Sequence, residues 1–176
     1  MGVEFVPFSR QGRLDDGRAL YLRAIDRGDR DRLREELFFK LGVQSLRNRF
    51  FAIKQDLTPT ELRYFCDVDF VHHVAIVAEV ECDGYRRLVG VARFLREHEN
   101  ATSAEFAITV IDPFQGIGIG KQLFSHLITS ARELGIERLD GTLLAQNSQM
   151  TALLRNTHLP AVSTRDNGVV SVSLHL

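Results

Sequence analysis

The segment Val110-Ile111-Asp112-Pro113-Phe114-Gln115-Gly116-Ile117-Gly118-Ile119-Gly120-Lys121 constrains this chain most, because an apolar strand breaks there into three alternate glycines and then becomes a helix. Glycines spaced two apart let backbone N–H groups turn inward unobstructed, and the following helix adds the positive end of its dipole at the same point. The spacing predicts a cradle for an anionic pyrophosphate. Two familiar phosphate loops do not fit. The chain has no G-x-x-x-x-G-K-S/T, and Gly116-x-Gly118-x-Gly120 is not G-x-G-x-x-G with an acidic residue at the end of the next strand. Nucleoside triphosphates and nicotinamide dinucleotides are therefore disfavoured. A glycine-rich strand-to-helix turn without a ligand is the plain alternative.

At 176 residues with 44% hydrophobic side chains, the chain has the length of one domain, residues 1–176, with the first 17 expected as a flexible or edge segment. Lys and Arg number 22 against 23 Asp and Glu, so overall charge points neither to nucleic acid nor to an acidic membrane surface. Cys66 and Cys82 occur without C-x-x-C or histidines at metal spacing, which reads as two reduced thiols and no metal. The charged first twenty residues do not resemble a signal peptide, and no apolar run approaches the ~18 residues of a membrane span. A cytoplasmic protein is expected.

Ala19-Leu20-Tyr21-Leu22-Arg23-Ala24-Ile25 alternates as a strand, and Asp29 is read as the cap of a helix burying Leu33, Leu37, Phe38 and Leu41, with Arg30, Arg32, Arg34, Glu35 and Glu36 on its solvated face. Thr58-Pro59-Thr60-Glu61 carries a capping box with proline in the first turn. Residues 74–80 and 88–94 read as strands joined across Asp83-Gly84, and Gly90 signals a bulge or a close backbone approach. A strand over 104–111, the helix after the glycine loop, a strand over 139–144, a short helix with Met150, Leu153 and Leu154, and a hairpin around Asp166-Asn167-Gly168 complete the chain. Gly135 ends the long helix.

In Gln115-x-x-Gly118-x-Gly120 the chain resembles Q/R-x-x-G-x-G/A, the acyl-coenzyme A loop of the GNAT family of N-acetyltransferases. The element order from about residue 20 to 174 is also that family's. The resemblance implies an α/β (α+β) fold: a mixed, mostly antiparallel twisted sheet of six to seven strands, helices on both faces, and a splayed acyl-CoA cleft. It implies acetyl-CoA as cosubstrate, held by backbone groups of Ile108 and Val110 at the pantetheine. The N–H groups of Gln115, Gly116, Ile117, Gly118, Ile119, Gly120 and Lys121 would hold the pyrophosphate. Asn147 matches the family's asparagine beyond the cleft, and helix capping is an equal role for it.

Amine acetylation needs a neutral nucleophile, yet a lysine amine of pKa near 10.4 sits about three units above neutral pH, a deficit of roughly 4 kcal/mol. Glu105 in Ala104-Glu105-Phe106-Ala107 is the candidate base, and the tetrapeptide resembles the general-base position of bacterial protein-lysine acetyltransferases (Pat-like). Burial beside Phe106 and Phe94 would raise its pKa toward a useful range. An exposed strand glutamate paired with a cation is the alternative. Further resemblance lies in Arg49-Phe50-Phe51, Leu57-Thr58-Pro59, Asp67-Val68-Asp69-Phe70-Val71-His72-His73-Val74-Ala75 and Gly90-Val91-Ala92-Arg93-Phe94. Asp69 and His73 either line the acceptor cleft or cap the helix end and pair with each other. Cys66 reads as inert core, so direct transfer without a covalent enzyme intermediate is expected.

The family commonly has a tyrosine seven residues after the asparagine as general acid, where this chain has Leu154. Its usual Gly-Phe is replaced by His158-Leu159-Pro160. The resemblance implies a protein lysine as acceptor, an adenylate-forming acyl-CoA synthetase among such substrates. A small amine, and a catalytically silent acyl-CoA-binding module, are the competing readings. Neither nucleic acid nor a membrane is expected as partner, and a dimer is compatible with the sequence.

Overall fold

Eight strands form one sheet in the order β1-β2-β3-β4-β5-β6-β8-β7 in a computed structural model that describes residues 9–176. The strands are β1 (Ser9–Arg13), β2 (Ala19–Ala24), β3 (His73–Cys82), β4 (Tyr85–Leu95), β5 (Ser103–Val110), β6 (Arg138–Leu144), β7 (Ala161–Asp166) and β8 (Val169–His175). All neighbours are antiparallel except β5 and β6. The sheet thus has one strand more than the six to seven expected. Ser9-Arg10-Gln11-Gly12-Arg13 at the edge has no apolar alternation to announce it. Of the first 17 residues, Ser9–Arg13 form this edge strand, and residues 1–8 lie outside the described residues.

Central strands β3 and β4 are buried on both faces, as their near-continuous apolar runs require, whereas β2 alternates buried and half-buried side chains. Turns at Asp83-Gly84 and Asn167-Gly168 both take positive φ at two successive residues, the conformation of a two-residue hairpin. Register slips between Ala78 and Glu79 opposite Gly90, and a Cβ at Gly90 would meet Leu123 Cδ1 at 3.1 Å and the Thr109 carbonyl at 3.2 Å. Both readings of that glycine, bulge and close approach, are therefore realised.

Residues 27–40 are helical but irregular: 3-10 turns flank a three-residue α turn, α1 (Arg30–Arg32), and a π stretch, Leu33–Leu37. Leu33, Leu37, Phe38 and Leu41 are buried as expected, while the cap is Asp26, not Asp29. The Asp29 carboxylate instead takes two 2.7 Å bonds from Arg23, inside a network in which Glu79 accepts from Arg23 (2.8 Å) and Arg32 (2.6 Å). Glu36 accepts the Leu88 N–H at 2.6 Å. This mixed-charge face is therefore turned onto the sheet in part, since the strand edges beneath it supply the partners.

The other helices are α2 (Val43–Phe50), α3 (Pro59–Cys66), α4 (Ile119–Glu133) and α5 (Ser148–Arg155). Thr58 and Glu61 form the expected reciprocal cap on α3, and Gly135 follows α4 at φ +75°. Helix α2 carries no sequence signal of its start: its cap is Gly42, without a side-chain bond, and none of its side chains is fully buried. On one sheet face α4 packs Leu123, Phe124 and Leu127 into the core, with Phe124 stacked on Phe106 at 5.0 Å. Residues 27–66 cover the other face.

Candidate active site

Strands β5 and β6 pair over only three positions, Ser103 with Arg138, Ala104 with Leu139 and Glu105 with Asp140, and then diverge. The gap opens into a cleft of about 470 Å³, the size of a small-molecule site. Its walls are β5 from Glu105 to Val110, residues of β6 past the split, α5, the glycine loop and α2, which lines it from Ser45 beside the loop to Arg49 and the cap residue Phe51.

Strand alternation decides which peptide groups face the gap. The Ile111 N–H donates to Val89 O at 3.0 Å, so Thr109 and Ala107 also direct their peptide groups to β4, and those of Ile108 and Val110 point into the cleft. The Val110 carbonyl already accepts a 2.8 Å bond from Gln115 Nε2, which also reaches Ser45 Oγ at 3.3 Å. Gln115 is thereby a brace between β5, the loop and α2.

Within the loop, Gly116 and Gly118 have φ of +77° and +95°, and Gly118 is the cap of the fifteen-residue helix α4. Among the described residues no backbone carbonyl accepts the N–H groups of Gly116 to Lys121. Gln115 departs from the expectation: its N–H bonds to Asp112 O at 3.2 Å, closing the turn Asp112–Phe114, so the free donors begin at Gly116. Ile119 is buried and Ile117 packs against the core, which leaves only their backbones to face a ligand. Lys121 lines the cleft and, among the described residues, has no acidic partner. A Cβ on Gly118 would point at the Asp15 carboxylate, 3.5 Å away, whereas a Cβ on Gly120 would point across the cleft at Leu153 Cδ2, 3.8 Å away. Asn147 caps α5, accepting the Met150 N–H at 3.1 Å, and lines the cleft as well.

Glu105 stands at the point where β5 and β6 part, on the cleft wall. It is exposed, not buried beside Phe106 and Phe94. Phe106 faces α4 together with its cross-strand partner Phe94, and the adjacent strand residue Glu105 must face the opposite way. On that opposite face stands Arg49 of α2, half-buried, with its guanidinium 5.1 Å from the Phe50 ring centroid. Desolvation draws the Arg49 pKa down while the Glu105 carboxylate draws it up. An arginine remains charged under either influence. Sequence reasoning noted Arg49-Phe50-Phe51 without a role for it, and had no signal for Ser45 or Asn48 of α2, which also line the cleft.

Asp69 and His73 are not brought to the cleft. Asp69 accepts the N–H groups of Val71, His72 and His73 and pairs with His72 Nδ1 at 2.8 Å, which holds its carboxyl well below the usual range. His73 is buried against Arg93 Nη1 (3.1 Å), and burial with that cation pushes its pKa down to about 4. Cys66 is buried with its thiol pushed up to about 12, consistent with an inert core residue. Leu154 packs on the core and is absent from the cleft wall, and none of the tyrosines among the described residues lines the cleft. Among the described residues, no cluster of three metal-ligating side chains occurs and no helix is long and apolar enough to cross a membrane.

Comparison with known proteins decides the family, since the profile of the Acetyltransferase (GNAT) family matches residues 41–157, which span α2, the glycine loop and α5. The chain belongs to the GNAT family of acetyltransferases. It is 33% identical over 140 residues to an acetyltransferase of Pseudomonas aeruginosa, covering 80% of this chain and 74% of that protein. With the acetyltransferase Pat of Mycolicibacterium smegmatis it shares 36% identity over 156 residues, 88% of this chain but only 45% of Pat's length. Its fold superposes on the crystal structure of the GNAT domain of S. lividans PAT with a TM-score of 0.86 at 27% identity, covering 96% of this chain and 97% of that domain. The chain is therefore an N-acetyltransferase with the mixed sheet and splayed strands of GNAT enzymes.

Proposed function

We propose that this GNAT enzyme moves the acetyl group of acetyl-CoA to a protein lysine, in the cytoplasm, by direct attack with Glu105 as general base. The observation that carries the reading is the layout of the cleft: free N–H groups at the α4 terminus at one end, inward-facing peptide groups of Ile108 and Val110 along the wall, and one carboxylate, Glu105, where β5 and β6 part. Pyrophosphate suits the N–H groups of Gly116 to Lys121 together with the Lys121 ammonium, and pantetheine amides suit the peptide groups of β5. Asn147 stands where it can meet the coenzyme while it caps α5.

Transfer follows from those positions. The amine nitrogen attacks the thioester carbon as its proton passes to Glu105, and the carbon–sulfur bond breaks to release thiolate. A thiol of pKa near 8.5 departs without full protonation, so a cleft without a phenol does not forbid turnover. Although exposed in the free protein, Glu105 would lose water once an acceptor covers it, which strengthens its interaction with the amine. The motifs at residues 67–75 and 90–94 support a lysine acceptor through their resemblance to protein-lysine acetyltransferases.

Glu105→Gln tests the base. Turnover at neutral pH is expected to fall by roughly 10²- to 10⁴-fold with acetyl-CoA affinity unchanged, and to recover at high pH where the amine deprotonates unaided. Unchanged turnover removes Glu105 from the chemistry. A small amine with kcat/KM well above every protein tried, measured at saturating acetyl-CoA, overturns the lysine acceptor. Acetyl-CoA binding without transfer to any amine identifies a silent binding module instead.

A further inference from the structure

Around the acceptor end of the cleft, charge and apolar exposure are unevenly distributed. Between residues 37 and 55 the sequence carries Lys40, Arg47, Arg49 and Lys54 and no aspartate or glutamate. Four of the eight large hydrophobic side chains exposed among the described residues fall in the same stretch: Phe39 (43%), Val43 (56%), Phe51 (47%) and Ile53 (58%). The nearby acids are already engaged. Asp112 accepts Ser45 Oγ at 2.6 Å, Asp56 takes Arg34 at 2.6 Å, and Glu61 holds Lys54 at 2.8 Å. Among the described residues Lys40, Arg47 and Arg49 have no carboxylate within ion-pair distance. Phe51 and Arg49 belong both to this collar and to the cleft wall that holds Glu105.

An apolar surface that is left open, edged by unpaired cations and continuous with a reaction cleft is built for a partner that brings apolar side chains and negative charge. We propose that α2 and its flanks, residues 39–54, form the docking collar for the acceptor protein, and that they select target lysines whose neighbouring residues are apolar and acidic. The proposal rests on the protein-lysine reading above. A nucleic acid or an anionic bilayer fits less well, because three unpaired cations spread over sixteen residues and interleaved with four exposed hydrophobic side chains make no continuous basic stripe.

The test uses the whole chain saturated with coenzyme A and fluorescent peptides that carry one lysine among apolar residues, flanked by Asp/Glu, by Ser/Gly or by Lys/Arg. Anisotropy is expected to rank them in that order, with acidic-flanked peptides binding roughly five- to tenfold tighter than basic-flanked ones, an advantage that shrinks in high salt. The double variant Lys40→Glu and Arg47→Glu is expected to reverse the ranking and leave acetyl-CoA affinity unchanged. Equal binding of the three peptides, or collar-dependent binding of phosphatidylglycerol vesicles in place of peptide selectivity, overturns the proposal. Transfer rates with acetyl-CoA on the same peptides separate the two readings. Selective binding without acetylation supports the collar and refutes the lysine acceptor, whereas acetylation without charge preference does the reverse.

Discussion

Alanine placed at Gly118 and at Gly120, two residues apart in one loop, is expected to change stability in opposite directions. At Gly118 the backbone sits at φ +95°, a region that an L side chain adopts at a penalty of about 1–2 kcal/mol. Space is not the obstacle there: the added Cβ would lie 3.5 Å from the Asp15 carboxylate, an ordinary contact on the side away from the cleft. Gly120 has an ordinary helical backbone, and its added Cβ would lie 3.8 Å from Leu153 Cδ2, also an ordinary contact. Relative to glycine, alanine gains there about 0.5 kcal/mol by restricting the unfolded chain and favouring the helix. In a domain of this length the two variants should differ in Tm by roughly 3–8 °C, Gly118→Ala below and Gly120→Ala at or slightly above the parent. Urea unfolding measures the same difference isothermally. Calorimetry with acetyl-CoA adds a second contrast: Gly118→Val is expected to abolish binding because a β-branched residue displaces the loop backbone, and Gly120→Leu because its side chain fills the cleft beside Leu153. Gly118→Ala as stable as the parent would refute the strain argument. Full coenzyme affinity in Gly120→Leu would take the space between α4 and α5 out of the site.

Two further outcomes test the packing. Because the His73 pKa is pushed down to about 4 in the folded protein against about 6.5 unfolded, the unfolded state takes up the proton first. Stability is complete above pH 6.5 and is lost as pH falls toward 4, by about 2 kcal/mol at pH 5; urea midpoints of His73→Gln should lack that component, and an identical pH slope would refute it. Gly141→Ala would drive a Cβ to 2.5 Å from Phe106 Cε1, in a ring stacked on Phe124, and is expected to destabilise by about 1–3 kcal/mol through overpacking; an unchanged Tm would show that the ring moves freely.

Local chemistry made much of this fold legible before any contact was known. Asp83-Gly84 and Asn167-Gly168 name their hairpins because positive φ is a property of the turn residues themselves, and Thr58 and Glu61 cap α3 by a reciprocal bond three residues long. The glycine loop was legible for the same reason, and so was the family it belongs to. Elements whose signals are weak or distributed were not. Helix α2 starts on Gly42 with no side-chain cap and buries no residue fully, and β1 is a polar edge strand that exists only because β2 offers it a partner.

The sequence by itself determined the glycine loop and the family: three alternate glycines ahead of an amphipathic helix, after a strand whose alternation turns the peptide groups of Ile108 and Val110 one way. Tertiary structure alone decided how those parts face one another. Pairing of β5 with β4 sends Phe106 inward and leaves Glu105 exposed at the split, on the cleft wall that it shares with Arg49, 56 positions earlier in the chain. The fold sets Asp15 on the side that a Cβ at Gly118 would face, and the contact with Arg93 buries His73 away from the cleft. Backbone conformation is set by forces that act over a few bonds and can be read residue by residue. The environment of a carboxylate or an imidazole is set by whatever the packed chain carries to it, and no local pattern encodes that.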